Sequence, residues 1–294
     1  MEFSTLIDAA TLQSVIGAPR SPSSLVVLDC RFDLTAPDAG ERAYLAGHIP
    51  TARYVDLNRD LSAAVSAASG RHPLPSPGTL AARFEALGVR EHSQVVVYDA
   101  VNGSFAARAW WLLRWLGHRN VALLDGGMQA WCAVGGAPES GGTARLPDSG
   151  RPANSPPAPA ARTDPQAVIG TAELVDLLKA GRRLLVDARA PERFAGTVEP
   201  IDAVAGHIPG AVNHPFTANL AGDGRFLPAA ELRRRWHARL NGVSPADTIA
   251  MCGSGVTACH NLLALEIAGL SGAKLYAGSW SEWIRDPERP VARG

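Results

Sequence analysis

Cys252 is the residue whose neighbours in the chain best suit covalent chemistry. It follows a short apolar run at residues 249–251 and precedes Gly-Ser-Gly-Val-Thr, where a helical pattern begins. Glycines permit backbone angles that turn successive N–H groups towards one point, and the N-terminus of the next helix adds partial positive charge. Such a loop would stabilise a thiolate and equally the outer sulfur of a persulfide. The pattern predicts a nucleophilic cysteine rather than a packing cysteine.

Two other chemistries use cysteines in comparable positions. Cysteine phosphatases need an arginine six positions after the nucleophile to hold phosphate bidentately, and this chain has Ala258 there. A zinc site built on Cys252, Cys259 and His260 would lack the CxxC pair or second ligand cluster that structural sites use. We therefore expect neither a phosphatase nor a metal site, and we interpret Cys259 as a core residue of the following helix.

The elements that must position Cys252 occur twice along the chain. VVLDCRF at residues 26–32 corresponds to LLVDARA at 184–190, and a GHIP motif follows each of them. Asp99 to Trp131 spans 32 positions, and Cys252 to Trp283 spans 31. Apolar runs alternate with helical patterns in both copies, so the fold class is α/β, with two domains that each contain a mostly parallel sheet flanked by helices.

The domain boundaries follow from composition. Residues 139–164 are dense in Pro, Gly and Ala and have almost no large apolar residue, which is typical of an extended linker. We therefore predict domains at 1–138 and 165–294. Asp8 and Thr171 are predicted N-caps of helices that end near residues 16 and 180.

The first copy provides an internal comparison for the cysteine loop. Asp99 stands where the second copy has Cys252, and a carboxylate cannot accept a sulfur atom. The first domain is therefore expected to be non-catalytic and to serve as a scaffold.

The bulk composition excludes several classes of function. The chain has 294 residues, 28 basic and 28 acidic side chains and no formal net charge, so no basic surface favours nucleic acid. No apolar run approaches the roughly 20 residues of a membrane helix, and the N-terminus does not resemble a secretory signal. Four cysteines are too few for a disulfide scaffold. We expect a cytoplasmic protein without nucleic-acid or membrane partners.

The paired DxR and GHIP motifs, the single cysteine loop and the GSWSEW sequence near the C-terminus resemble the tandem-domain rhodanese family. The resemblance covers nearly the whole chain and implies two rhodanese-like domains, with catalysis in the second. The CGSGVT loop is similar to that of the family's 3-mercaptopyruvate sulfurtransferases, whereas its thiosulfate-preferring members usually have basic residues after the cysteine.

The resemblance implies roles for individual residues. Cys252 matches the persulfide-forming nucleophile, Arg193 matches the arginine that binds the donor's carboxylate, and Ser254 and His72 match a proton relay in which the first domain contributes the histidine. Arg189, His48 and His207 are interpreted as structural. The catalytic residues expected are Cys252, Ser254 and His72. The substrate-binding residues expected are Arg193, Gly253, Ser254, Gly255, Val256, Thr257 and Arg108.

Two positions depart from the family pattern. The relay often includes a carboxylate where this chain has Asn58, and an amide cannot act as a base. A second arginine commonly follows the Arg193 segment, but this chain is shorter there and has Ile201 and Asp202. The donor carboxylate is then expected to bind Arg193 alone, or Arg193 with an arginine such as Arg108 from the first domain.

The function that the resemblance implies is transfer of a sulfane sulfur from 3-mercaptopyruvate through a Cys252 persulfide. The acceptor is a thiol, from glutathione or a thioredoxin-like protein, or cyanide, and no cofactor is required. Three alternatives stay open. They are a thiosulfate sulfurtransferase, a non-enzymatic anion-binding module and a carrier that passes sulfur to a biosynthetic protein.

Overall fold

The computed structural model of the protein describes residues 2–18, 25–142, 163–181 and 183–294, which form two compact units. The first unit draws on Met1–Ser62, Pro75–Thr163 and Gly222–Arg225, and the second on Ala63–Leu74, Asp164–Ala221 and Phe226–Gly294. Each unit thus includes a short segment from the other half of the chain, Gly222–Arg225 in the first and Ala63–Leu74 in the second. The predicted domain boundaries at 1–138 and 165–294 do not include this exchange. Most of the predicted linker at 139–164 lies outside the described residues.

The first unit contains a parallel sheet with strand order β1-β5-β4-β2-β3. Its strands are β1 Leu6–Ile7, β2 Leu25–Asp29, β3 Arg53–Tyr54, β4 Gln94–Tyr98 and β5 Val121–Leu124. The valine run in β4 is completely buried, as β-branched side chains in a sheet covered on both faces should be. The helices of this unit are α1 Ala9–Gly17, α2 Ala39–Ala46, α3 Pro77–Ala86, α4 Ala106–Trp115 and α5 Gly127–Ala133.

The second unit repeats this arrangement, with strand order β6-β10-β9-β7-β8 and parallel pairing throughout. Its strands are β6 Val168–Ile169, β7 Leu184–Asp187, β8 Val212–Asn213, β9 Thr248–Met251 and β10 Lys274–Tyr276. Its helices are α6 Thr171–Ala180, α7 Pro191–Ala195, α8 Ala229–Leu240, α9 Thr257–Ile267 and α10 Ser279–Trp283. The strands of both sheets follow one order when each copy is numbered from its first strand, so the duplication is confirmed.

The two predicted N-caps have different outcomes. The Asp8 carboxylate accepts a hydrogen bond from the Thr11 backbone N–H at 2.9 Å, as predicted. Thr171 is not a cap, because α6 begins at Thr171 itself and Gly170 occupies the cap position without a side-chain bond. The Thr171 hydroxyl lies instead 2.8 Å from the Tyr276 hydroxyl and also donates to Glu282. Among the described helices, none is both long and apolar enough to cross a membrane.

The repeated DxR and GHIP motifs join the same two backbone segments in each unit. Arg189 binds Asp187 through Nε and Nη2 and also donates from Nη2 to the carbonyl of Gly206 at 2.8 Å. Arg31 bonds in the same way to Asp29 and to the carbonyl of Gly47. The pair therefore ties the end of β2 or β7 to the glycine that opens the GHIP turn. Arg189 has a structural role, as predicted.

The motif histidines stabilise the same turns. The ring of His207 stacks on Phe194 with centroids 3.8 Å apart, and its Nδ1 lies 2.8 Å from the Phe194 carbonyl oxygen. His48 stacks on Tyr44 at 4.0 Å and makes the equivalent contact to its carbonyl oxygen. These contacts support the structural interpretation of both histidines.

Replacing Arg189 with Gln should destabilise the second unit strongly. Asp187 is completely buried, so Arg189→Gln leaves an uncompensated buried carboxylate, which costs about 3–5 kcal/mol of unfolding free energy. Arg234→Gln is the matched control, because Arg234 is 70% exposed in its ion pair with Glu231 and should change stability by about 0.5 kcal/mol or less. Denaturant unfolding measures both values. Equal effects of the two substitutions would contradict the structural role of Arg189.

Candidate active site

Cys252 is the first residue after β9, at the carboxyl end of a strand that lies between β7 and β10. Its backbone is held on both sides. Its N–H donates to the Ser279 hydroxyl at 3.0 Å, and its carbonyl accepts from the Trp280 N–H at 3.0 Å. Ser279 has a left-handed φ of 53°, which is costly for a serine and orients its hydroxyl towards the Cys252 N–H. Cys252 therefore sits on a backbone held at both ends, with 2% of its surface exposed.

The loop at residues 252–256 requires glycine at one position above all. Gly255 has a φ of 77°, and a Cβ built on it would lie 2.4 Å from the Ala277 carbonyl oxygen. Any side chain would force the loop away from β10 or away from the start of α9. Val256 is buried, and α9 begins at Thr257 with no side chain capping its N-terminus at Val256. The positive end of α9 is thus directed at the loop.

The equivalent loop of the first unit shows what this turn binds. The Asp99 carboxylate accepts hydrogen bonds from four backbone N–H groups, those of Val101, Gly103, Phe105 and Ala106, at 2.9–3.2 Å. Burial raises the pKa of this carboxyl, and the four N–H donors oppose the rise. In the first unit the loop therefore forms an anion nest, and the Asp99 side chain fills it. Asp99 thus fills the position that corresponds to Cys252, and the non-catalytic role expected of the first unit stays a prediction.

His72 and Ser254 meet within the second unit. The Nδ1 of His72 lies 2.7 Å from the Ser254 hydroxyl, and the two residues are 2% and 5% exposed. The prediction assigned His72 to the first domain. The structure corrects this, because Ala63–Leu74 packs with the second unit. Asn58 belongs to the first unit, where its backbone N–H donates to Asp56.

The Arg193 guanidinium lies beside the loop in a network of charged groups. Its Nε donates to Glu199 at 3.0 Å, and its Nη2 donates to Asp202 at 2.9 Å. Arg71 donates from Nη1 to the other carboxylate oxygen of Asp202 at 2.7 Å. Burial disfavours ionised Glu199, but hydrogen bonds from Arg193 and from backbone N–H groups outweigh it and lower the pKa of this carboxyl. Arg189 lies 3.5 Å from Glu199 as well and is paired with Asp187, so these three arginines and three carboxylates carry no net formal charge.

Sequence reasoning missed Arg71, Glu199 and Asp202. Arg71 precedes the predicted His72, so adjacency was the available signal. Asp202 was seen only as a departure from the family pattern. The predicted Arg108 is not part of this network, because it lies in α4 of the first unit and is completely buried.

The other cysteines and the possible metal ligands were also considered in the sequence. Cys259 is completely buried in α9, and its thiol lies 3.4 Å from the Gly255 carbonyl oxygen, as expected for a core residue. Within the described residues, no group of three or more His, Cys, Asp or Glu side chains could hold a metal ion. The four cysteines are all free thiols.

A buried polar network supports α9 from the opposite side. The Asn219 amide oxygen lies 3.0 Å from Nε2 of His214 and 3.1 Å from Nε1 of Trp236. Its amide nitrogen donates to Asn261 in α9 at 2.7 Å. Burial lowers the pKa of His214 from 6.5 to about 4, so this network contains a neutral imidazole at neutral pH.

Known proteins resemble the chain over its full length. The rhodanese-like domain family matches twice, at residues 9–134 and 170–286. A Pseudomonas aeruginosa protein named probable 3-mercaptopyruvate sulfurtransferase is 51% identical, with 100% of both chains covered. A Mycobacterium tuberculosis protein, SseB, carries the name of a thiosulfate sulfurtransferase and is 44% identical, covering 98% of this chain and 97% of its own. Escherichia coli SseA, titled a 3-mercaptopyruvate sulfotransferase, superposes with a TM-score of 0.75 at 33% identity, covering 95% of this chain and 100% of its own.

Acidification should destabilise the protein through His214. The native pKa lies below that of the unfolded chain, so between pH 6.5 and about 4 the unfolded state binds the additional proton and unfolding is favoured. Stability from this group is complete above pH 6.5 and is lost as the pH falls towards 4. Over this window, the unfolding free energy of the wild type should fall by about 2–3 kcal/mol more than that of His214→Gln.

Urea unfolding at both ends of the window measures this difference. Gln can still donate to Asn219 but does not titrate. His237→Gln, at an exposed position of α8, is the control and should retain the wild-type pH dependence. If His214→Gln had that same dependence, the assigned titration would be wrong.

Proposed function

The chain belongs to the rhodanese-like family, and we propose that it transfers sulfur from 3-mercaptopyruvate to a thiol or to cyanide through a persulfide on Cys252. The two matches to the rhodanese-like domain family and the 51% identical relative confirm the family that the sequence motifs indicated. The observation that carries the proposal is the placement of Cys252 at the end of β9, in a loop whose counterpart in the first unit binds a carboxylate with four N–H groups.

The first half-reaction forms the persulfide. The Cys252 thiolate attacks the sulfur of the donor, an S–S bond forms, and the donor's C–S bond breaks. The electron pair of that bond leaves on carbon as the enolate of pyruvate. A proton moves from the new Cys252 persulfide to the enolate, so the products are pyruvate and an anionic persulfide. The hydrogen-bonded Ser254 and His72 are proposed to carry that proton.

The loop and the arginine network orient the donor. Arg193 is proposed to hold the donor's carboxylate, since its planar fork matches a carboxylate and its Nη1 is not used by Glu199 or Asp202. The network has no net formal charge, which suits a monoanion better than the dianion of thiosulfate. Gly253 and Ser254 add no positive charge to the loop.

The second half-reaction returns the enzyme to its thiolate form. An acceptor thiolate or cyanide attacks the outer sulfur of the persulfide, and the pair of electrons in the S–S bond returns to Cys252. Glutathione and a thioredoxin-like protein are the proposed thiol acceptors. The steps need only the thiol chemistry of Cys252, so no cofactor enters the proposal. Free thiols require a reducing compartment, and we propose the cytoplasm.

Thiosulfate is the second candidate donor, and the name of the Mycobacterium tuberculosis relative favours it. It would deliver its outer sulfur to the same thiolate and leave as sulfite. The two donors differ in the group that must bind beside the loop, a carboxylate or a sulfite group, and only the enolate left by 3-mercaptopyruvate needs a proton.

Replacing Cys252 should abolish both reactions. Cys252→Ser removes the only group that forms the intermediate, so turnover with either donor should fall by at least about a thousandfold. Cys132→Ser is the matched control, because Cys132 is exposed in α5 of the first unit and should leave both rates unchanged. Steady-state kinetics with cyanide as acceptor measures these rates.

The same kinetics compares the donors. The account predicts a higher kcat/KM for 3-mercaptopyruvate than for thiosulfate. The reverse order would make thiosulfate the donor. Activity of Cys252→Ser above a tenth of the wild-type value would overturn the persulfide mechanism.

A further inference from the structure

The segment that carries His72 also brings a second guanidinium to the cysteine loop. The Arg71 backbone N–H donates to the Ser281 hydroxyl at 2.9 Å, and the Arg285 guanidinium binds the carbonyl of Ser69 at 3.2 Å. Gly70 packs so closely that a Cβ on it would lie 2.5 Å from the Gly278 carbonyl oxygen. The position of the Arg71 backbone is therefore fixed on the second unit by contacts that do not involve its side chain.

Asp202 holds the side chains of Arg71 and Arg193 as a pair. One of its oxygens accepts from Arg71 at 2.7 Å and the other from Arg193 at 2.9 Å. The Asp202 carboxylate is only 4% exposed, and its backbone N–H donates to Glu199 at 3.0 Å. A carboxylate that is itself fixed can set the spacing of two guanidiniums, which unrestrained surface arginines cannot maintain.

The parts of both guanidiniums that Asp202 does not use converge beside Cys252. A Cβ built on Gly253 would lie 3.3 Å from Nη2 of Arg71, 3.6 Å from Nη1 of Arg193 and 3.6 Å from its Nη2. Nε of Arg71 is buried and has no hydrogen-bond acceptor among the described residues. The side chains remain 28% and 16% exposed, so solvent reaches this pair. A buried N–H without an acceptor is costly, and an anion at this place would satisfy it.

We propose that Arg71 and Arg193 together form the binding site for the donor's carboxylate, with Asp202 as the residue that positions both. Arg71 then supplies the second guanidinium that the chain lacks near Ile201 and that was expected of an arginine such as Arg108. The site accepts a small 2-oxo acid, whose carboxylate binds the two arginines while its sulfur-bearing carbon lies over Cys252. This inference rests on the proposed function for the identity of the donor.

The charge of the site supports a monoanion as its ligand. The two arginines and the carboxylates of Asp202 and Glu199 cancel formally, so one ligand carboxylate is balanced by the loop N–H groups and the start of α9. Replacing Arg71 with a neutral residue makes the net formal charge of the site more negative by one. It should therefore weaken binding of a carboxylate more than it slows the chemical step at sulfur.

Arg71→Gln tests the inference in the full-length protein. Loss of one charge-assisted contact should raise KM for 3-mercaptopyruvate by about ten- to a hundredfold while kcat changes by less than about threefold. Arg71→Lys keeps the charge without the planar fork and should recover part of the loss. Binding of pyruvate, measured by calorimetry, should weaken by the same factor as KM rises.

Arg285→Gln is the matched control, because it removes an arginine that anchors the same segment without reaching Gly253. It should leave KM and pyruvate affinity within about twofold of wild type. Unchanged KM and pyruvate affinity in Arg71→Gln would overturn the inference. Equal losses in Arg71→Gln and Arg285→Gln would also overturn it, since they would indicate that only the docking of the segment matters.

The pyruvate measurement separates this inference from the proposed function. It needs no turnover and can be repeated in Cys252→Ser, where sulfur transfer is absent. If Cys252→Ser retained activity but Arg71→Gln still lost pyruvate binding, the sulfur-transfer mechanism would fail and the carboxylate site would stand. If Cys252→Ser lost activity but Arg71→Gln kept its affinity for pyruvate, the sulfur-transfer mechanism would stand and Arg71 would not be part of the carboxylate site.

Discussion

The candidate site depends on the turn where the central strand of a parallel sheet runs into a helix, and at the corresponding turn of the first unit four backbone N–H groups converge on Asp99. This geometry requires a left-handed residue at Gly255, because the Ala277 carbonyl oxygen occupies the place where any Cβ would lie. It also requires the Cys252 backbone to be held from α10 through Ser279 and Trp280. With the backbone held at both points, the proposed anion would meet loop dipoles that need not reorganise during the reaction.

The two copies of the fold use this loop in different ways. In the first unit the Asp99 side chain reaches into its own nest and bonds with four N–H groups, so the anion is part of the protein. In the second unit Cys252 occupies the corresponding position, and the proposed anion there is its thiolate or its persulfide. The loops also differ in length, since α4 begins seven positions after Asp99 and α9 begins five positions after Cys252. The DxR and GHIP contacts, which are the same in both units, belong to the fold rather than to the reaction.

The sequence was sufficient to predict the features that depend on internal repeats or on residues close together in the chain. The duplication, the parallel sheets, the cysteine loop and the Asp8 cap follow from periodicity and from residues close together in the chain. The pairing of His72 with Ser254 was available only through the family resemblance, since 182 positions separate them. Arg71 and Asp202, 131 positions apart, could not be paired from the sequence because Ala63–Leu74 joins the second unit instead of the first. Arg108 was predicted to bind the donor's carboxylate because it is an arginine of the first domain. Its complete burial in α4 could not be predicted from its residue type.

The central claim is that Cys252 carries the sulfur between donor and acceptor. The most direct measurement is the intact mass of the full-length protein after exposure to 3-mercaptopyruvate without an acceptor, followed by peptide mapping. The account predicts a gain of one sulfur atom, located on the peptide that contains Cys252 and removed when cyanide is added. An unchanged mass, or a sulfur found on Cys132 or Cys259 instead, would contradict it.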